Sequence, residues 1–178
     1  MRAFVAIALP EAATDALTQV QTRLPVGRIV PRANLHLTLA FLDDQPVQVL
    51  EALHEELAAL PLTALILDLS GLGCYGGDRP RLVFAQAVPT AALDELRRQV
   101  LGAVRRAGIL LPRRRFHPHV TLARVRASPA AAQRLQQFLA VEAGFSVPAF
   151  PVSAIALMRS ELHPDGAVYH EMARYALT

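Results

Sequence analysis

Two stretches of the chain share one pattern. NLHLTLAFL occupies residues 34–42 and FHPHVTLAR residues 116–124, so His36-Leu37-Thr38-Leu39 returns 83 positions later as His119-Val120-Thr121-Leu122. Alternation of polar and aliphatic residues is the period of a β-strand, in which residues two apart share a face. His36 and Thr38 therefore point one way, and Leu35, Leu37 and Leu39 point the other way, into a core. With six His and eight Thr in 178 residues, random placement yields about 0.3 His-x-Thr pairs. The full pattern arises twice by chance in on the order of a few cases per thousand. A fold carrying the same strand twice is built of two similar halves. The simplest arrangement sets the two strands side by side, with both polar pairs lining one cleft.

The remaining segments frame these strands. RAFVAIAL (2–9), GRIV (27–30), the stretch from Thr63 into the glycines of GLGCYGG, and RLVFAQAV (81–88) read as strands. FPVSAIALMRSEL (150–162) reads as one further strand, joined to AVYHEMARYAL by the turn signal HPDG. Helical spacing runs over 11–24, 47–60 and 90–108, with Thr90 as N-cap. Another helix starts at Ser128 with Pro129 in its first position. Strands and helices alternate irregularly, and some strands follow one another directly. That pattern is α+β rather than a strict parallel repeat. The length suits one domain of two lobes spanning 1–178. No apolar run approaches the roughly 20 residues of a membrane span, and the strand-like start of MRAFVAIALP argues against a signal peptide. The single cysteine, Cys74, forms no internal disulfide, as expected of a cytoplasmic protein.

A buried His and Thr need hydrogen-bond partners. One such pair alone is usually a satisfied core histidine; two matching pairs reverse that preference. Two imidazoles, each titrating near 6.5 when unperturbed, can be one neutral and one protonated near pH 7. That equips a cleft for concerted acid-base chemistry without a metal. Hydroxyls beside them can donate to the oxygens of an anion, and a phosphodiester needs this set: a base, an acid and donors for the phosphoryl oxygens. The formal charge of +3 comes from 18 basic residues, all of them arginine. A biased base composition accounts for that choice, although guanidinium forks also suit phosphate.

These residues carry a family resemblance. The doubled motif, the segments NLHLTLAFL and FHPHVTLAR, and the ending RSELHPDGAVYHEMARYAL resemble the two-histidine phosphoesterases. Within them the likeness is to the bacterial and archaeal RNA 2′,3′-cyclic phosphodiesterases, once named 2′-5′ RNA ligases. The resemblance implies a bilobed fold with two pseudo-symmetric, mostly antiparallel lobes, helices outside and a central cleft. It implies no cofactor, and hydrolysis of an RNA end or cyclic nucleotide bearing a 2′,3′-cyclic phosphate to a 2′-phosphate. Alternatives are the reverse ligation and an RNA-end binding protein without turnover. The expected catalytic pair is His36 as acid and His119 as base. Thr38, Thr121, Arg124 and Phe41 are expected to hold substrate, and Tyr169 to edge the cleft. Arginines near His119, and Asp43 and Asp44 near His36, lead to the same division of roles. Phe41 and Arg124 each lie five residues after a histidine, which in a regular strand is the wrong face; the strand must end, twist or bulge there. The family commonly has glycine where Asp43 stands, a turn position. The two histidines of HPH (117–119) have no acidic or histidine cluster near them in sequence, so no metal is expected. Arg113-Arg114-Arg115 reads as a solvated loop or a steering patch for RNA. GLGCYGGDRPR lacks the lysine of a phosphate-binding loop. The chain is expected to act as a monomer, with no obligatory protein partner and no membrane.

Overall fold

The computed structural model describes residues 1–164 and 166–178. In chain order the elements are β1 (Arg2–Ala8), α1 (Glu11–Gln21), β2 (Arg28–Ile29), β3 (His36–Asp44), α2 (Val47–Ala58), β4 (Leu65–Tyr75), β5 (Leu82–Ala87), α3 (Ala91–Arg106), β6 (His119–Arg124), α4 (Pro129–Val141), β7 (Ser146–Val152), β8 (Ala154–His163) and β9 (Gly166–Ala176). The caps read from sequence form: Thr90 Oγ1 accepts from Leu93 N and Ser128 Oγ from Ala131 N, both at 3.1 Å. Each such cap stabilises its helix by about 1 kcal/mol. Helix α1 ends at Gln21, three residues before the expected end. Its last turn tightens, with Arg23 N bonding Val20 O and Leu24 N bonding Gln21 O, because Pro25 disfavours a helical Leu24. GRIV contributes only the two residues of β2.

Among the described residues the nine strands form one antiparallel sheet in the order β7-β4-β5-β6-β3-β1-β8-β9, with β2 also on β6. The two motif strands are its centre, and β1/β5, β8/β4 and β9/β7 flank them in pairs. At this seam the strands meet only briefly, in the register Leu37↔Val120. Each motif strand pairs at much greater length with its outer neighbour. The halves thus splay from the seam as two lobes of an α+β fold. Leu37 and Val120, both fully buried, join Leu17 of α1, Leu53 of α2, Leu93 of α3 and Leu135 of α4 in one hydrophobic core. Burial of each such aliphatic side chain contributes about 1.5–3 kcal/mol.

One expectation fails. FPVSAIALMRSEL is not one strand. It breaks at Ser153 into the end of β7, paired with β4, and the start of β8, paired with β1 and β9. Five strands separate β7 from β8 in the sheet, a span of roughly 29 Å if the sheet were flat, yet a single residue joins them. The sheet therefore curls until its two flanks meet at Ser153. Thr178 N bonds Leu62 O at 2.9 Å and Leu177 N bonds Ser153 O at 2.8 Å across this closure. The expected turn at HPDG includes Asp165, which lies outside the described residues.

Candidate active site

The seam register decides how the two motifs meet. Paired residues of antiparallel strands share a face. With Leu37 opposite Val120, His36 lies across from Thr121 and Thr38 across from His119. The four polar side chains form a diagonal square on the face away from the core, all half-buried. A pseudo-twofold axis passes between Leu37 and Val120.

The symmetry extends to the environment of each ring. His36 stacks on Phe4 of β1 (centroids 4.8 Å apart) and meets the edge of Tyr169 of β9 at 5.3 Å. His119 lies against Phe84 of β5 at 5.2 Å and the edge of Tyr75 of β4 at 5.3 Å. Each imidazole is thus held between a phenylalanine of the adjacent strand and a tyrosine further out. Each also bonds through Nδ1 to the carbonyl two residues before it: His36 to Asn34 O at 2.7 Å, His119 to His117 O at 2.6 Å. A carbonyl only accepts, so both rings carry a proton on Nδ1, and their Nε2 atoms are left for chemistry. In the neutral ring, His36 Nε2 accepts from the Thr38 hydroxyl at 3.1 Å.

Burial pushes the His36 pKa down from its ordinary value, more than the Asn34 carbonyl raises it, and the charge of His119 pushes it further down. The expectation that Asp43 and Asp44 help His36 hold a proton is therefore corrected. Desolvation of the ring outweighs any effect of those exposed carboxylates in the free protein.

Phe41 and Arg124 reach the histidine face through bulges. Strands β1 and β5 act as rulers. Ala6 pairs with Thr38 and Val5 with Ala40, so Leu39 is an extra residue. Likewise Phe84 pairs with Thr121 and Val83 with Ala123, so Leu122 is extra. Each insertion reverses the alternation. Phe4 then pairs with Phe41, putting that exposed ring 6.2 Å from Phe4 on the histidine side, and Leu82 pairs with Arg124. A second extra residue, Leu42, precedes Asp43, which has φ of 55°. Asp43 adopts the left-handed conformation that glycine takes without cost and that Asp tolerates.

The sequence pattern of the 2′-5′ RNA ligase superfamily matches residues 7–164. The chain belongs to this superfamily. A Thermus thermophilus protein named RNA 2′,3′-cyclic phosphodiesterase is 38% identical over 194 aligned positions, covering 99% of this chain and 90% of that protein. A protein of the same name from Geobacillus stearothermophilus is 36% identical over 154 residues, 82% of this chain and 49% of that protein, so this chain spans about half of its length. The crystal structure of Escherichia coli LigT complexed with 3′-AMP matches with a TM-score of 0.80 at 25% identity, covering 99% and 98% of the two chains.

Several residues of this superfamily member's cleft escaped the sequence reading. Phe4, Phe84 and Tyr75 have no motif. Their only signal is that Phe4 and Phe84 stand 80 positions apart, close to the interval between the histidines. Gln21, only 5% exposed, donates from Nε2 to Leu122 O at 2.8 Å and to Val30 O at 2.9 Å, tying down the bulge that turns Arg124. Gln86 donates to Pro118 O at 2.8 Å, fixing the entry to β6. The other histidines lie outside the square. His54 bonds the Tyr175 hydroxyl at 2.9 Å, and His163 and His170 face Glu161. Among the described residues, no three His, Cys, Asp or Glu side chains gather around one possible ion position.

Proposed function

We propose that this chain hydrolyses 2′,3′-cyclic phosphate ends of RNA, and the corresponding cyclic nucleotides, to 2′-phosphates, using His36 and His119 as the acid-base pair. The observation that carries this reading is the diagonal square, with two Nδ1-anchored imidazoles at opposite corners and a threonine hydroxyl beside each. The names of the relatives and the 3′-AMP bound to LigT support the substrate class. Water attacks phosphorus and the bond to the 3′-oxygen breaks. His119 Nε2 takes the water proton, and His36 Nε2 gives its proton to the departing 3′-oxygen. The Thr38 and Thr121 hydroxyls and the Arg124 guanidinium donate to the non-bridging oxygens, and Phe41 stacks on the terminal base. Burial leaves His36 a poor proton holder in the free protein. A phosphate monoanion between the rings counters this by direct Coulomb attraction, so His36 gains its proton with the substrate. The chain acts as a monomer in the cytoplasm. Among the described residues, no helix is long and apolar enough to cross a membrane.

The test is incubation with a nucleoside 2′,3′-cyclic phosphate in EDTA, with phosphorus NMR of the product. A 2′-phosphate is expected. A 3′-phosphate, or activity that vanishes in EDTA, refutes the reading. Binding of an RNA ending in a 2′,3′-cyclic phosphate without any turnover marks a binding protein instead.

A further inference from the structure

A groove opens where β6 ends. It is an open depression of about 830 Å³ between the β2–β6 edge and the start of α4, and its lining includes Arg28, Arg124, Arg126 and Arg134 but, among the described residues, no aspartate or glutamate. Six arginines elsewhere on the surface are tied to carboxylates, Arg23 to Glu142, Arg32 to Asp15, Arg98 to Glu95, Arg106 to Glu56, Arg159 to Glu161 and Arg174 to Glu171, while others such as Arg105 and Arg113 stand alone among the described residues. Arg124, Arg126 and Arg134 are exposed, and among the described residues none has a carboxylate within 4 Å. Their charges are free for an outside anion.

The groove meets the motif strand at one residue, Arg124. Arg124 closes the motif strand that begins at His119, and the Leu122 bulge turns it to the histidine side. A cyclic phosphate terminates the 3′ end of an RNA, so the rest of such a strand lies on the 5′ side of the reacting group and must leave the cleft. We infer that Arg126 and Arg134, in the groove that starts at Arg124, hold the backbone phosphates of the nucleotides 5′ of the cyclic end, so that the protein selects an oligoribonucleotide over a cyclic mononucleotide. This rests on the function proposed above. The groove's chemistry is that of single-strand binding generally: guanidinium donors along a track, with no base-reading element required.

The experiment compares a 2′,3′-cyclic mononucleotide with a tetranucleotide ending in the same cyclic phosphate. It is paired with anisotropy titration of a 5′-fluorescein tetranucleotide bearing a 3′-phosphate, which needs no turnover. Wild type should show a lower KM for the tetranucleotide. Its log Kd should rise with log salt by about 0.7 per phosphate held. In Arg126→Gln/Arg134→Gln, tetranucleotide KM and Kd should rise roughly tenfold, since each exposed ionic contact is worth up to a factor of about five, and the salt slope should fall. Arg98→Gln/Arg105→Gln, two exposed positions on α3, is the charge-matched control. Unchanged tetranucleotide Kd and salt slope in the double variant, or equal KM for the two substrates in wild type, overturns the groove. Failure of wild type to hydrolyse either substrate overturns the function instead, and the anisotropy still decides the groove.

Discussion

Gly73 is where a single methyl group should reach the chemistry without touching substrate. It lies in β4 opposite Phe84 of β5. A Cβ built at Gly73 falls closest to Phe84 Cζ, with Cε2 at 2.8 Å and Cε1 at 3.1 Å. Ordinary carbon contacts begin near 3.5 Å, so in Gly73→Ala the ring must retreat by about an ångström. A free ring end would do so at little cost, but this ring is not free. Phe84 is 8% exposed, stacked on Tyr75 at 4.5 Å and set against His119 at 5.2 Å. The displacement is passed to the imidazole. Overpacking of this kind destabilises by about 1–3 kcal/mol, and an ångström of misplacement at a reacting group costs on the order of 10²-fold in rate. The assay is kcat on a 2′,3′-cyclic mononucleotide, beside a thermal melt that separates misplacement from unfolding. Trimming the ring in Gly73→Ala/Phe84→Leu should recover part of the loss by making room for the methyl. Wild-type kcat in Gly73→Ala would falsify the claim that Phe84 positions His119.

Three further outcomes follow from the square and its supports. His36→Ala and His119→Ala should each lower kcat by about 10² to 10⁴ without additivity in the double variant, while Thr38→Ala and Thr121→Ala cost less; normal turnover in either histidine variant removes that residue from the mechanism. Gln21→Leu leaves the Val30 carbonyl without its donor, while Leu122 O keeps Val30 N at 2.8 Å, and should cost about 1–3 kcal/mol in denaturant melts, together with a raised KM through Arg124; an unchanged KM would show that the bulge holds without the amide. Because burial lowers the His36 pKa in the folded state, the unfolded chain binds that proton first as pH falls, so His36 should erode stability below about pH 6.5. Melts of His36→Ala should lack that part of the acid slope, and identical slopes count against it.

The legible part of the site was the part governed by local period. His36 and Thr38 share a face because strands alternate, and that rule needs no knowledge of neighbours. The face of Phe41 and Arg124 depends on an extra residue relative to β1 and β5, so it is a property of pairing rather than of one strand. A trace of it does stand in the sequence: Leu39-Ala40 and Leu122-Ala123 are apolar doublets that break the alternation after each motif, and all four residues are buried. The aromatic partners of the histidines come from strands far away in the chain, and no single-strand pattern marks them. The break at Ser153 was invisible for a related reason. FPVSAIALMRSEL has strand character throughout, and only the curl of the whole sheet sends its two ends to different neighbours. The α+β class and the antiparallel flanks were readable because they depend on short connections and element order.

The division of roles between the histidines is the point where symmetry gives least help and where a chemical test is decisive. Both rings offer Nε2 after anchoring Nδ1 on a carbonyl, and both are backed by a phenylalanine and a tyrosine. What breaks the symmetry is burial, which lowers the His36 pKa, and a hydroxyl of its own motif on Nε2. If His36 is the acid, its task is to protonate the 3′-oxygen as it departs. Replacing that oxygen by sulfur makes the leaving group a thiolate, whose conjugate thiol titrates near 8.5 and which departs without a proton. His36→Ala should then lose little on the 3′-thio substrate while remaining slow on the oxygen substrate. His119→Ala should be slow on both, because water must still be deprotonated. The measurement is the ratio of kcat/KM for the two substrates in each variant. Rescue of His119→Ala in place of His36→Ala exchanges the roles, and the lowered pKa of the half-buried His36 would then be that of the base.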